Sequence, residues 1–172
     1  MKVNLFIILF LSLGTALATA GEKLHPTDRT FLESAAMCGI FEQKMAELAS
    51  QQGSAGQVRD LGRKMSQDQM TAGDALKEFA KLNEIDLPPV LNPGLKNIAD
   101  GVAKLQGADF DKRFLLYMGD YQDAYLRIFT DEAERGHDAD IKKFASDMAT
   151  AIQADCDLIL KLQTDLKITA AP

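Results

Sequence analysis

Residues 86–93 read Asp86-Leu87-Pro88-Pro89-Val90-Leu91-Asn92-Pro93. No helix passes through this stretch, because a proline lacks the backbone N–H and its ring clashes with the preceding turn. Asn92-Pro93 is a helix cap followed by proline at the first helical position, so a short helix is expected from Pro93 to Gln106, stopped by Gly107. The whole link then spans about 25 residues, enough to climb the height of a helical bundle.

On either side of the link, apolar residues recur at the steps of three, four and seven that mark one helix face. The first long helix is expected over Thr27 to Ser50, with Phe31, Ala35, Cys38, Met45 and Ala49 on its stripe, Thr27 as cap and Gly53 as stop. Ser54 and Gln57 read as a capping box opening the second, which carries Val58, Leu61, Met65, Ala72, Leu76 and Phe79. The third bears Phe110, Phe114, Tyr117, Tyr121, Ala124 and Ile128 and stops near Gly136; the fourth bears Ile141, Ala145, Met148, Ile152, Ile159, Leu162 and Leu166. No segment alternates as a strand does, and no internal repeat is evident. Two short turns flanking one long connection predict an all-α fold: a ferritin-like four-helix bundle with a long crossover between the second and third helices that contains a short helix. The glycines inside helices, Gly39, Gly62, Gly73 and Gly119, are read as places of close packing.

The first twenty residues have the three parts of a secretory signal: Lys2, an apolar run from Leu5 to Leu13, and the small residues Ala18-Thr19-Ala20. The apolar run is shorter than the ~20 residues a spanning helix needs. The expected organisation is a signal peptide over 1–20, a bundle domain over 21–168 and a frayed tail over 169–172, with the product periplasmic or secreted and no membrane span. After cleavage 18 Lys and Arg face 25 Asp and Glu, a net charge of −7. Without a basic stripe, neither nucleic acid nor anionic lipid is an expected partner.

Each apolar stripe is broken near mid-helix, by Glu42, Gln69, Tyr121 and Cys156 in turn. Inward polar groups at one level are where bundles build metal sites, from carboxylates and Glu-x-x-His pairs. No such pair exists here, and the two histidines, His25 and His137, lie outside the helix middles and read as surface residues. The set of Glu42, Gln69 and Tyr121 suits a hydrogen-bonded layer, with amide and phenol donating to the carboxylate, better than it suits a metal. No metal or other cofactor is expected. Asp68 and Asp120, one residue away, are turned by about 100° from the stripe and are read as flank-facing.

Cys38 and Cys156 enter an oxidising compartment as a pair, which makes a disulfide the first reading and two buried thiols the alternative. Such a bridge would close a loop worth on the order of 4–5 kcal/mol. No Cys-x-x-Cys spacing points to redox catalysis.

The run Phe31-Leu32-Glu33-Ser34-Ala35-Ala36-Met37-Cys38-Gly39, with Glu42 and Leu48-Ala49, then Val58-Arg59, Met65, Asp68 and Phe110-Asp111, resembles a large bacterial family of exported proteins of unknown function. Its members are labelled as outer-membrane or periplasmic proteins, and the resemblance, which covers nearly all of the mature chain, implies a ferritin-like fold. Family members carry a histidine after the second-helix aspartate, another in the third helix and one in the fourth. The matching positions here hold Gln69, Tyr121 and Cys156, and Glu42 alone remains of that inward set. Three function classes follow. The leading one is a non-enzymatic structural or protein-interaction module of the cell envelope, with an acidic face such as Asp131-Glu132 and Glu134 turned to solvent or to a protein partner. A ferritin-like metal-binding protein or oxidase is the second, and a carrier of small apolar ligands, lined by Met45, Met65, Met118 and Met148, is the third.

Overall fold

A computed structural model describes residues 24–169; the expected leader, 1–20, and residues 170–172 of the expected tail lie outside them. Among the described residues there are five helices and no strand: α1 Pro26–Gln52, α2 Gly56–Leu82, α3 Pro93–Ala103, α4 Gly107–Arg135 and α5 Ala139–Asp165. Helix α1 packs chiefly on α2 and α4 on α5, while α1 also meets α4 and α2 meets α5. This places α1 and α5 across a diagonal.

Two apolar clusters fix the directions. One joins the C-terminal half of α1 (Phe41, Met45, Leu48) to the N-terminal halves of α2 (Val58, Leu61) and α4 (Phe110, Phe114) and to the end of α5 (Ile159, Leu162). The other joins the start of α1 (Phe31, Leu32) to the ends of α2 (Leu76, Ala80) and α4 (Phe129) and the start of α5 (Ile141, Ala145). Helices α1 and α5 therefore run one way and α2 and α4 the other. The α2–α4 link has to return along the bundle, and α3 lies on that path against α1 and α4. The all-α bundle with one long crossover holding a short helix is the observed architecture.

Several helix ends differ from the expected ones. His25, not Thr27, caps α1, its Nδ1 accepting the Thr27 N–H at 3.3 Å. Helix α2 has no capping box. Its first amides, from Ser54 and Ala55, are taken at 2.8 and 2.7 Å by the two carboxylate oxygens of Asp111 in α4. Helix α3 is capped by Asn92 as expected, but it ends at Ala103, and Gly107 opens α4 with a positive φ of 61° rather than closing α3.

At the opposite end Asp28 of α1 does for α5 what Asp111 does for α2, accepting the amides of His137 and Asp138 at 2.9 and 2.7 Å. A duplication is visible here that residue types alone conceal. Asp28 and Asp111, Phe31-Leu32 and Phe114-Leu115, Gly53 and Gly136, and the left-handed residues Glu84 and Lys167 are all separated by the same 83 positions. Each hairpin lends an aspartate to close the other's turn. The halves are not packed alike: a Cβ on Gly62 would come within 2.5 Å of the Ser50 nitrogen and 2.7 Å of the Ala46 oxygen, so α1 and α2 cross at backbone contact. Its counterpart 83 positions on is Ala145, which already carries that carbon. At Gly73 an added Cβ meets nothing within 4 Å, so close packing is not that glycine's reason.

Candidate functional site

Between the two apolar clusters each of the four long helices contributes a polar side chain to a common level. In α1, Glu42 follows Phe41 and precedes Met45 on the face that the register turns inward, and it is 1% exposed. From α2 the Gln69 amide nitrogen donates to one carboxylate oxygen of Glu42, and from α4 the Gln122 amide nitrogen donates to the other. Helix α5 contributes Asp155, buried beside them and bound at 2.6 Å by Lys64 of α2, whose ammonium also reaches Asp68 at 2.8 Å. A chain of polar groups thus leads from the centre of the bundle to its surface.

The electrostatics follow from burial. Glu42 is pushed up to about 8, first by loss of solvent, with the Gln122 hydrogen bond opposing and the charges of Asp155 and Asp68 adding to the rise. Asp155 is raised too, by burial, against the pull of Lys64. Tyr125, 83 positions after Glu42, is fully buried with its hydroxyl unpartnered, and burial with the nearby Glu42 charge raises it well above its ordinary value. The Oε1 of Gln122 is likewise buried without a partner, so a protonated Glu42 has an acceptor within the same residue pair once that amide turns over.

Of the residues singled out from sequence, Glu42 and Gln69 meet as expected. Tyr121 does not join them: its hydroxyl donates to the Cys38 carbonyl at 3.1 Å, and the second donor to Glu42 is its neighbour Gln122. The expected third stripe runs through Tyr117, Tyr121 and Ala124, whereas the buried one steps Met118, Gln122, Tyr125, Phe129; a stripe rich in tyrosine hides a one-residue shift, because both faces carry large side chains. The same shift makes Asp155, not Cys156, the inward residue of α5. A buried aspartate had no signal in the sequence, since its partner Lys64 is 91 positions away.

Cys38 and Cys156 are both free and half-buried in the structure, so the disulfide is not formed there. The parallel, diagonal placement of α1 and α5 accounts for this. Burial, with no helix N-terminus or cation nearby, raises Cys38 and pushes Cys156 up to about 11, the charges of Asp123, Asp155 and Asp157 adding to the latter. Neither is an activated thiol.

His25 and His137 are exposed, as expected, but they meet: their rings lie 3.5 Å apart, joining the start of α1 to the α4–α5 turn. Beside them Glu132, 3% exposed, is pushed up to about 7 by burial and by the adjoining Asp28.

The central layer does not fit a metal. Both amides present N–H groups to Glu42, Asp155 is held by Lys64, and among the described residues no three His, Cys, Asp or Glu side chains are grouped to hold an ion. Nor is any described helix long and apolar enough to cross a membrane.

The chain matches the family model described as Domain of unknown function (DUF4142) over residues 14–162, and it belongs to that family. Among solved structures it is similar to a DUF305 fragment from Deinococcus radiodurans, with a TM-score of 0.74 at 9% identity over 83% of this chain and 98% of that one. It is also similar to a protein from Bacillus halodurans named as a candidate spore coat protein, with a TM-score of 0.68 at 16% identity over 88% and 94% of the two chains. At such identities the likeness is one of fold. No curated protein matches the chain.

Proposed function

We propose that this member of the DUF4142 family is a non-enzymatic, exported helical-bundle protein that serves the cell envelope as a structural or protein-interaction module. The observation that carries the reading is the occupation of Glu42. In the one place where the bundle gathers polar groups from every long helix, both carboxylate oxygens are taken by amide N–H groups of Gln69 and Gln122. A carboxyl so held and so buried presents neither oxygen to a substrate or an ion, and its raised proton affinity keeps it largely neutral below pH 8, with the Gln122 amide turned to accept the proton. What remains for contact with other molecules is the acidic outer surface, and the signal-like residues 1–20 support its placement in the periplasm or outside the cell.

A second reading, a ferritin-like metal-binding protein or oxidase, draws support from the single crossover and the antiparallel hairpins, the topology in which such centres are built. The donor set weighs against it. Elemental analysis of protein purified from the periplasm, paired with melting curves with and without chelator, separates the two. The module reading expects less than stoichiometric metal and unchanged melting; one or two bound iron, manganese or zinc ions per chain, with a lower melting temperature after chelation, overturn it.

A further inference from the structure

We infer that the groove between α1 and α2, roofed by Leu87, Pro88 and Pro89 of the crossover, is a binding site for a small uncharged amphiphile: a hydrocarbon body carrying an O–H or N–H group. This goes beyond the module reading and does not depend on it.

The cavity measures about 620 Å³, within the range of small-molecule sites. Its walls are mostly hydrocarbon, and they include Met70, which is left 59% exposed there, where its flexible thioether can adapt to a guest. Two helical glycines line it. At Gly73 the wall is open, with nothing within 4 Å of an added Cβ. At Gly39 the absent side chain bares the edge of the central layer: an added Cβ would stand 3.1 Å from the Gln69 amide oxygen and 3.9 Å from the unpartnered Tyr125 hydroxyl.

The charge of the guest follows from the groups present. Asp74 and Lys77 stand on the solvent-exposed edge of the lining and pair at 2.9 Å, so their opposite charges offset and give the groove no net preference for an ion. Gln69 spends its amide nitrogen on Glu42 and turns its oxygen toward Gly39 on the groove wall. The Gln69 oxygen and the buried, unpartnered Oε1 of Gln43 are acceptors among apolar walls; they select a neutral guest that brings O–H or N–H donors, and they order its uncharged polar head inward and the hydrocarbon outward under the prolines.

N-phenyl-1-naphthylamine, uncharged with one N–H, is a direct probe by fluorescence with the full-length mature protein. Saturable binding of one probe per chain is expected, displaced by 1-octanol and at least about tenfold less well by octanoate or octylammonium. Gly73→Phe puts a ring into the groove from a position where an added Cβ meets nothing within 4 Å; circular dichroism verifies that the variant folds, and its affinity for the probe is expected to fall at least about tenfold. Gly39→Val, which blocks the floor, weakens binding in the same direction. Absence of saturable binding by the parent, or undiminished binding by folded Gly73→Phe, overturns the site. Preferential displacement by octanoate or octylammonium overturns the neutral guest. A failure on either count leaves the module reading untouched, since that reading turns on metal content.

Discussion

Asp111 closes the α1–α2 turn with its two oxygens on Ser54 and Ala55, and Asp28 closes the α4–α5 turn with its two oxygens on His137 and Asp138. The caps are equivalents in a repeat of 83 residues, yet their surroundings diverge. The residue behind the first turn is Ala49; its equivalent behind the second is the buried acid Glu132, with the His25 and His137 rings in contact alongside. Geometry preserves the cap, because the first amides of a helix lack partners within the helix and need acceptors wherever they occur. The neighbour is free to vary, and one end of the bundle has accumulated charge that the other does without.

The largest expected effect tests the shared plan. Asp111→Ala removes a buried carboxylate that accepts from two part-buried amides and should destabilise the fold by about 3–5 kcal/mol in urea denaturation at pH 7. Asp28→Ala should cost less, because it also relieves the repulsion with Glu132; equal or greater loss would show that the two ends are not loaded differently. Next is Gly62→Ala, which drives a methyl into the α1 backbone and should cost about 2–4 kcal/mol. Its counterpart Ala145→Gly should cost about 1 kcal/mol, the ordinary helix penalty. Similar losses at both sites would mean that the hairpins are packed alike.

Smaller still is Glu132→Ala, which makes the second end resemble the first. Glu132 holds its proton more tightly folded than unfolded, so its contribution is fully present below about pH 4.5 and is lost as pH rises through about 7. The variant should therefore gain on the order of 1 kcal/mol at pH 8 relative to the parent and nothing at pH 4. The smallest effect is expected from reducing agent: with Cys38 and Cys156 unpaired, dithiothreitol should leave the melting temperature of periplasmic protein unchanged, whereas a fall of several degrees would reveal a bridge.

The long helices and the crossover were legible because proline, glycine and the 3.6-residue period act locally. Pro88-Pro89 broke the chain where it breaks, and Asn92 capped where it caps. The repeat was hidden because its fixed points are caps and turns, while the core exchanges Glu42 for Tyr125 and Gln69 for Ile152. Half of the central layer was legible as well. Glu42 and Gln69 interrupt their stripes unmistakably, but Gln122 and Asp155 are each one residue from a larger or more conspicuous neighbour, and only packing against other helices decides which faces inward. The capping roles of Asp28 and Asp111 have no local signal, since the amides they accept from are 109 and 57 positions distant.

The central claim is that Glu42 is a neutral, hydrogen-bonded member of a structural layer. It is tested by the unfolding free energy of the parent and of Glu42→Gln from pH 4 to 9, with and without added divalent iron, manganese or zinc. A carboxyl raised from 4.5 to about 8 contributes stability fully below the lower value and loses it as pH rises through the upper one. The parent should therefore lose stability relative to Glu42→Gln across that window, by up to about 1.4 kcal/mol per pH unit, with no response to metal. Parallel curves, or metal stabilisation that Glu42→Gln abolishes, would contradict the account.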